Sequence, residues 1–125
     1  MLSVLIPTYN FNAVALVNEL HKQLLKLKVP FEIICVDDGS KSTLNQQNEK
    51  INTLAYARFK ALNDNVGRSA IRNYLSEEAA YNWLLFLDSD VMPVSPLFID
   101  NYLKEAAQKT DAVFCGGIRY VASDE

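Results

Sequence analysis

The sequence predicts an α/β fold, a mostly parallel β-sheet with helices on both faces, and three observations carry the prediction. Apolar segments of strand length alternate with segments of helical periodicity along the whole chain. The strands read as nearly continuous apolar runs, the pattern of strands covered on both faces. The polar exceptions fall directly after the first, second and fourth strands. Strand, helix and strand repeated this way join parallel strands by right-handed crossovers. No internal repeat, low-complexity tract or linker interrupts the 125 residues, one domain's length and enough for a core.

Each element follows from its own pattern. Leu2–Ile6 is an apolar strand. From Asn12 to Lys28, Ala13, Leu16, Val17, Leu20, Leu24 and Leu27 recur on one helical face, with Glu19, Lys22, Gln23 and Lys26 on the other. Phe31–Val36 is a second strand, apolar apart from Glu32. Ser42–Ile51 is a polar, peripheral helix. A third strand lies within Leu54–Leu62, centred on Ala57–Lys60. Gly67–Ala80 is a helix that turns Ala70, Ile71, Tyr74 and Leu75 inward. Residues 83–87, Trp83-Leu84-Leu85-Phe86-Leu87, form a short buried strand. A helix from Pro96 to Lys109 and a fifth strand at Ala112–Cys115 follow.

Composition narrows the function classes. A net charge of −3, with twelve Lys and Arg that do not cluster, argues against nucleic acid or an anionic membrane surface as main partner. No run of apolar residues is long enough to span a membrane. Met1-Leu2-Ser3-Val4 enters a strand directly, so no signal peptide is expected and the expected location is the cytoplasm or the inner face of the membrane. Cys35 and Cys115 sit in apolar runs and read as small core residues. His21 flanks the apolar stripe of the first helix as a boundary residue. With no histidine near a Ser or Cys motif, a hydrolase triad has little support.

The chemistry concentrates in Leu87-Asp88-Ser89-Asp90-Val91. On an extended backbone, Asp88 and Asp90 leave the strand end on the same side. Two close carboxylates repel unless one is protonated or a cation joins them. A hard divalent ion such as Mg²⁺ or Mn²⁺ relieves that repulsion and keeps positions open for phosphate oxygens. A lone D-x-D is also an ordinary solvated turn, so the rest of the chain decides. Pro7-Thr8-Tyr9-Asn10 follows strand one and Asp37-Asp38-Gly39-Ser40 follows strand two. Open parallel sheets bind ligands at the carboxyl ends of their strands, at the point where strand order reverses. With a strand order of 3-2-1-4, that point puts Pro7–Asn10 beside Asp88–Asp90, with Asp38 next to both.

These segments together resemble the inverting nucleotide-sugar glycosyltransferases of family 2, which have the Rossmann-like GT-A fold. Leu2-Ser3-Val4-Leu5-Ile6-Pro7-Thr8-Tyr9-Asn10 is similar to that family's opening strand and uridine-binding turn. Glu32–Ser40 resembles its second strand and acidic turn, and Asn65-Val66-Gly67 with Arg72-Asn73 its N-x-G…R-N helix start. Leu85–Asp90 matches its metal-binding segment, although Val91 stands where the family often has a further Asp.

The resemblance implies metal-dependent transfer of a sugar from a nucleoside diphosphate sugar, a UDP-sugar by family expectation, to an acceptor hydroxyl with inversion. Tyr9 would supply a flat contact for the base and Asp38 an acceptor for its ring N–H, while Pro7 and Thr8 shape the turn and lend backbone groups. Asp37 would stabilise the turn with Gly39. Arg72, and less directly Arg68, would approach the diphosphate near the helix start at Gly67. Asp90 is the expected direct ligand of Mn²⁺ or Mg²⁺, with Asp88 contacting the ribose or a metal-bound water. The acceptor would be a carbohydrate or lipid-linked hydroxyl.

Inversion also needs a general base, which in the family comes after the metal motif. Asp124 and Glu125 have no matching context. The expectation is therefore that residues 1–125 are the donor-binding part of a larger enzyme, inactive alone, with uncovered apolar surface near strands four and five that promotes self-association. Two other readings fit parts of the chain. A haloacid dehalogenase-like phosphatase also places D-x-D after an apolar strand, but normally on its first strand and with a downstream Lys and acidic pair. A non-catalytic nucleotide-binding module would carry the same donor motifs. A dinucleotide oxidoreductase lacks its G-x-G-x-x-G.

Overall fold

Element order in the computed structural model, which describes residues 1–108, follows the predicted alternation. It runs β1 (Leu2–Thr8), α1 (Val14–Leu27), β2 (Phe31–Asp37), α2 (Asn45–Asn48), a 3₁₀ helix (Glu49–Thr53), β3 (Ala57–Ala61), α3 (Arg68–Glu78), β4 (Trp83–Phe86) and α4 (Phe98–Gln108). The four strands form one sheet in the order β3-β2-β1-β4, with every neighbouring pair parallel. This is the expected 3-2-1-4 order. The predicted fifth strand, Cys115, Asp124 and Glu125 lie outside the described residues.

Alternation along the central strands builds two cores. Leu2, Val4 and Ile6 of β1 and Phe31, Ile33 and Cys35 of β2 pack with Leu16, Val17, Leu20 and Leu24 of α1 and with Ile99 of α4. On the other face, Leu5, Ile34 and Val36 meet Ile71 and Leu75 of α3, with Phe86 and Tyr74 at the margin. Each such fully buried aliphatic side chain contributes about 1.5–3 kcal/mol. Ser3 and Glu32 share the α3 face at the amino ends of their strands. There the buried Glu32 carboxylate accepts hydrogen bonds from Ser3 Oγ at 2.6 Å, Arg58 at 3.2 Å and the Ala80 amide. The polar residue at the amino end of β2 is thereby satisfied.

Four expectations are corrected. Gln23, expected on the solvent face of α1, is buried: its Nε2 donates to Ser95 O and Glu19 Oε1 and its Oε1 accepts from Ile99 N, all at 3.0 Å. A fully bonded amide is tolerated inside where a bare one is not. Ala70 is exposed, because α3 presents only the narrow Ile71–Leu75 stripe to the sheet. The helix expected at Ser42–Ile51 is shorter and tightens into the 3₁₀ turn, as its polar sequence has little apolar face to bury. Strand β4 ends at Phe86 and is half-buried, with Leu84 39% exposed, because β1 is its one paired neighbour among the described residues.

Candidate functional site

The carboxyl ends of β1, β2 and β4 and the start of α3 converge on one rim, and hydrogen bonds between them set its shape. At the end of β1, Thr8 lies opposite Asp37 in register, and its carbonyl accepts the Asp38 amide at 2.9 Å. The chain then turns through Asn10, at φ 51°, leaving Tyr9 58% exposed. A half-free aromatic ring beside a strand end offers a flat surface to a planar ligand.

The two acidic residues after β2 do different work. Asp37 is fully buried, and its carboxylate accepts Ser40 Oγ at 2.7 Å, Ser40 N at 2.9 Å and Asn10 N at 3.3 Å. It locks the β1 and β2 turns to each other, closing on Ser40 where Gly39 was expected. Its charge also reaches Cys35: burial first, and Asp37 second, push that thiol up to about 12. Asp38 points the other way. Its carboxylate accepts Val66 N at 2.8 Å, Gly67 N at 3.1 Å and Asn65 Nδ2 at 3.2 Å. A carboxylate has about four acceptor positions, so about one is left for a ligand donor. Asp38 thus orders the loop leading into α3, a structural task that composition and spacing did not reveal.

Gly67, at φ 94°, precedes α3 and needs the freedom of glycine there. One turn into α3, the Arg72 guanidinium lies 4.9 Å from the centre of the Phe86 ring. That contact holds Arg72 over the last residue of β4, one residue before Leu87 and the acidic segment. Arg72 forms no ion pair among the described residues, leaving its charge toward solvent. Arg68 is exposed at the start of the same helix.

After Phe86, the Leu87 amide still bonds Leu5 O at 3.0 Å, and the backbone then folds into a turn closed by Val91 N to Asp88 O at 3.3 Å. The expected extended alternation therefore does not apply at Asp88–Asp90. Asp88 and Asp90 are both exposed on this turn. Between them, Ser89 Oγ accepts a hydrogen bond from Thr8 Oγ1 at 2.9 Å. That contact puts Pro7–Asn10 beside Asp88–Asp90, as the strand order requires. Ser89 is the residue that motif reading passed over; its signal was a hydroxyl between two carboxylates facing a Thr at the end of β1.

Two exposed carboxylates on a turn suit a hard cation that takes only part of its coordination shell from protein. Among the described residues no third His, Cys, Asp or Glu completes a protein-only metal cage. The donor set therefore fits a divalent ion that shares its shell with phosphate oxygens. A cavity of about 370 Å³ lies elsewhere, by Arg58, Lys60, Tyr74 and Glu78 at the β3 side. It touches none of the predicted site residues.

A family model described as Glycosyl transferase family 2 matches residues 3–125. The chain is 33% identical over 129 residues to a chondroitin synthase of Pasteurella multocida (strain Pm70), and 30% identical over 123 residues to a hyaluronan synthase of Pasteurella multocida. Each alignment takes in 96% of the chain and 12% of the relative, so the chain spans about an eighth of the length of these proteins. Among solved structures, TarS residues 1–349 of S. aureus in complex with UDP-GlcNAc superposes with a TM-score of 0.64 at 28% identity. That likeness covers 86% of this chain and 31% of the TarS chain.

Proposed function

The chain belongs to glycosyl transferase family 2, and from that premise we propose that it forms the donor-binding part of a longer enzyme. That enzyme transfers a sugar from a UDP-sugar to the hydroxyl of a carbohydrate or lipid-linked acceptor, with inversion and with a divalent cation. The observation that carries the reading is the Thr8–Ser89 contact, which joins the uridine-side turn to the acidic turn across the switch point. Base, diphosphate and cation then occupy one continuous rim.

Each side chain has a task that follows from its placement. Tyr9 stacks on the base, and Asp38 uses its remaining acceptor position for the ring N–H. Pro7 and Thr8 set the turn that carries Tyr9. Arg72, held on Phe86, faces the diphosphate and offsets its charge. Asp90, assisted by Asp88, would hold Mn²⁺ or Mg²⁺, which stabilises the leaving diphosphate when bound. The acceptor hydroxyl must lose a proton as it attacks the anomeric carbon from the face opposite the diphosphate. The carboxylate for that step is assigned to the longer enzyme, as are the walls that exclude water from the sugar. Donor binding and group transfer are therefore separable, and these residues supply the first.

Saturation-transfer NMR with UDP-GlcNAc, GDP-mannose and UMP tests the donor assignment. The reading expects base and ribose protons of the UDP-sugar to receive the strongest transfer, and Tyr9→Ala to abolish it at the base. Equal transfer to all three compounds, unchanged in Tyr9→Ala, would remove the assignment. Metal-dependent turnover of an aryl phosphate by the same chain would favour a phosphatase instead.

A further inference from the structure

Beside the packing of the Leu87 side chain on the core, two hydrogen bonds among the described residues tie the acidic turn to the sheet. Leu87 N to Leu5 O, at 3.0 Å, is the last backbone bond of this segment to β1. Beyond it the turn closes on itself, Val91 N to Asp88 O at 3.3 Å, a bond that fixes its curvature but not its position over the sheet. The second tie is the hydrogen bond from Thr8 Oγ1 to Ser89 Oγ at 2.9 Å. Its donor is firmly held: Thr8 is 4% exposed, ends the central strand β1, and takes the Asp38 amide on its carbonyl. Its acceptor is the residue flanked by the two exposed carboxylates.

We propose that the Thr8–Ser89 hydrogen bond is a positioning clamp for the carboxylate pair. It fixes the turn before any ligand arrives, so that Asp88 and Asp90 meet a cation and its diphosphate without first having to be ordered. Two like charges close together on one turn repel, and that repulsion opposes the closed form of the turn. The clamp acts against that repulsion at the residue between them. Groups that orient metal ligands without touching the metal commonly change metal affinity by about 10–100-fold. Thr8 acts here through its side chain and Ser89 as a positioning residue; neither touches the reacting atoms. The inference rests on the reading that Asp88 and Asp90 hold a divalent ion.

The test uses Ser89→Ala, the near-isosteric Thr8→Val and the conservative Thr8→Ser. The first readout is amide hydrogen exchange at Leu87 and Val91 in the metal-free protein. The clamp predicts that Ser89→Ala and Thr8→Val speed both by about two- to tenfold, the factor that a hydrogen bond of ordinary net strength carries. The second readout is Mn²⁺ affinity in the presence of UDP, measured by electron paramagnetic resonance of free Mn²⁺. The same two variants should bind Mn²⁺ at least about tenfold more weakly, while Thr8→Ser stays close to wild type in both measurements. Global thermal stability, measured in parallel, separates this from general unfolding, because exchange at Ile33 and Ile34 in β2 should not change. If Leu87 and Val91 exchange at the wild-type rate, or if Mn²⁺ affinity is unaltered while wild type binds normally, the clamp falls and the proposed function stands. If wild type itself binds no Mn²⁺ with UDP, the proposed function fails and the clamp falls with it.

Discussion

Gly39 sits at φ 69° in the turn after β2, and a Cβ placed there would lie 2.3 Å from the Asp64 carbonyl carbon, 2.4 Å from the Asn65 amide nitrogen and 2.6 Å from the Asp64 oxygen. All three are backbone atoms, so no side-chain rotation relieves the overlap. In Gly39→Ala the segment from Asp64 to Gly67 must move, and the three hydrogen bonds that the Asp38 carboxylate receives from Asn65, Val66 and Gly67 are strained with it. The left-handed backbone costs a residue with a Cβ about 1–2 kcal/mol. Relieving the overlap costs about 1–3 kcal/mol more. Weakening the partly exposed hydrogen bonds adds about 1 kcal/mol. The expected loss is about 3–6 kcal/mol, a large share of the roughly 5–15 kcal/mol that stabilises a domain. Urea unfolding followed by circular dichroism measures it, with a fall in Tm of about 10–20 °C as the thermal counterpart. Because the displaced loop leads into α3, which carries Arg72, nucleotide affinity should fall as well. A Gly39→Ala chain within about 1 kcal/mol of wild type would mean that the 64–67 loop does not depend on contact with the β2 turn.

Other outcomes follow from single groups. Cys35 has its thiol raised from an ordinary value of 9.0 to about 12, so the stability it contributes is complete below about 9 and is lost as pH rises from there toward 12. The slope is about 1.4 kcal/mol per pH unit; unfolding curves at pH 8, 10 and 11 should be flatter with pH for Cys35→Ala, and equal slopes would contradict the burial. Gln23→Met keeps the volume but removes the partners of Ile99 N and Ser95 O, and should cost about 2–3 kcal/mol in urea unfolding; a change under about 0.5 kcal/mol would show that the amide does not join α1 to α4. Asn52 accepts Phe59 N at 2.8 Å and donates to Phe59 O at 3.4 Å, covering the outer edge of β3. Asn52→Ala uncovers those backbone groups and should cause concentration-dependent association in light scattering; an unchanged mass at all concentrations would contradict this guard role.

Much of the fold was legible because it is written in short-range periodicity. Alternating Leu2, Val4 and Ile6 against Leu5, and the 3.6-residue stripe from Leu16 to Leu24, need no distant partner to be recognised. The strand order was not itself written in the residues: 3-2-1-4 was the order that would bring the polar turns after β1, β2 and β4 together at one switch point, and it is the order observed. What escaped depends on partners far along the chain. Gln23 looked like a surface residue because its partners Ser95 and Ile99 are 72 and 76 residues away. Asp38 looked free for a ligand because Asn65–Gly67, which occupy most of its carboxylate, lie 27–29 residues on. Alternation placed Asp88 and Asp90 correctly at a strand end but missed the turn, which closes through a bond inside the segment, Val91 N to Asp88 O. Ser89 carried no charge to attract notice, although its hydroxyl joins the two halves of the rim.

The central claim is that the rim formed by β1, β2 and β4 binds a uridine nucleotide together with a divalent cation held at Asp90. Calorimetric titration of UDP into wild type and Asp90→Ala, each with and without Mn²⁺, tests it most directly. Wild type should bind UDP saturably, and at least about tenfold more tightly with Mn²⁺, as expected when a cation bridges carboxylates and phosphates. Asp90→Ala should keep the weaker, metal-independent binding and the native fold but gain nothing from Mn²⁺. Equal Mn²⁺ enhancement in wild type and Asp90→Ala would contradict the claim, and would make Asp88-Ser89-Asp90 an ordinary solvated turn.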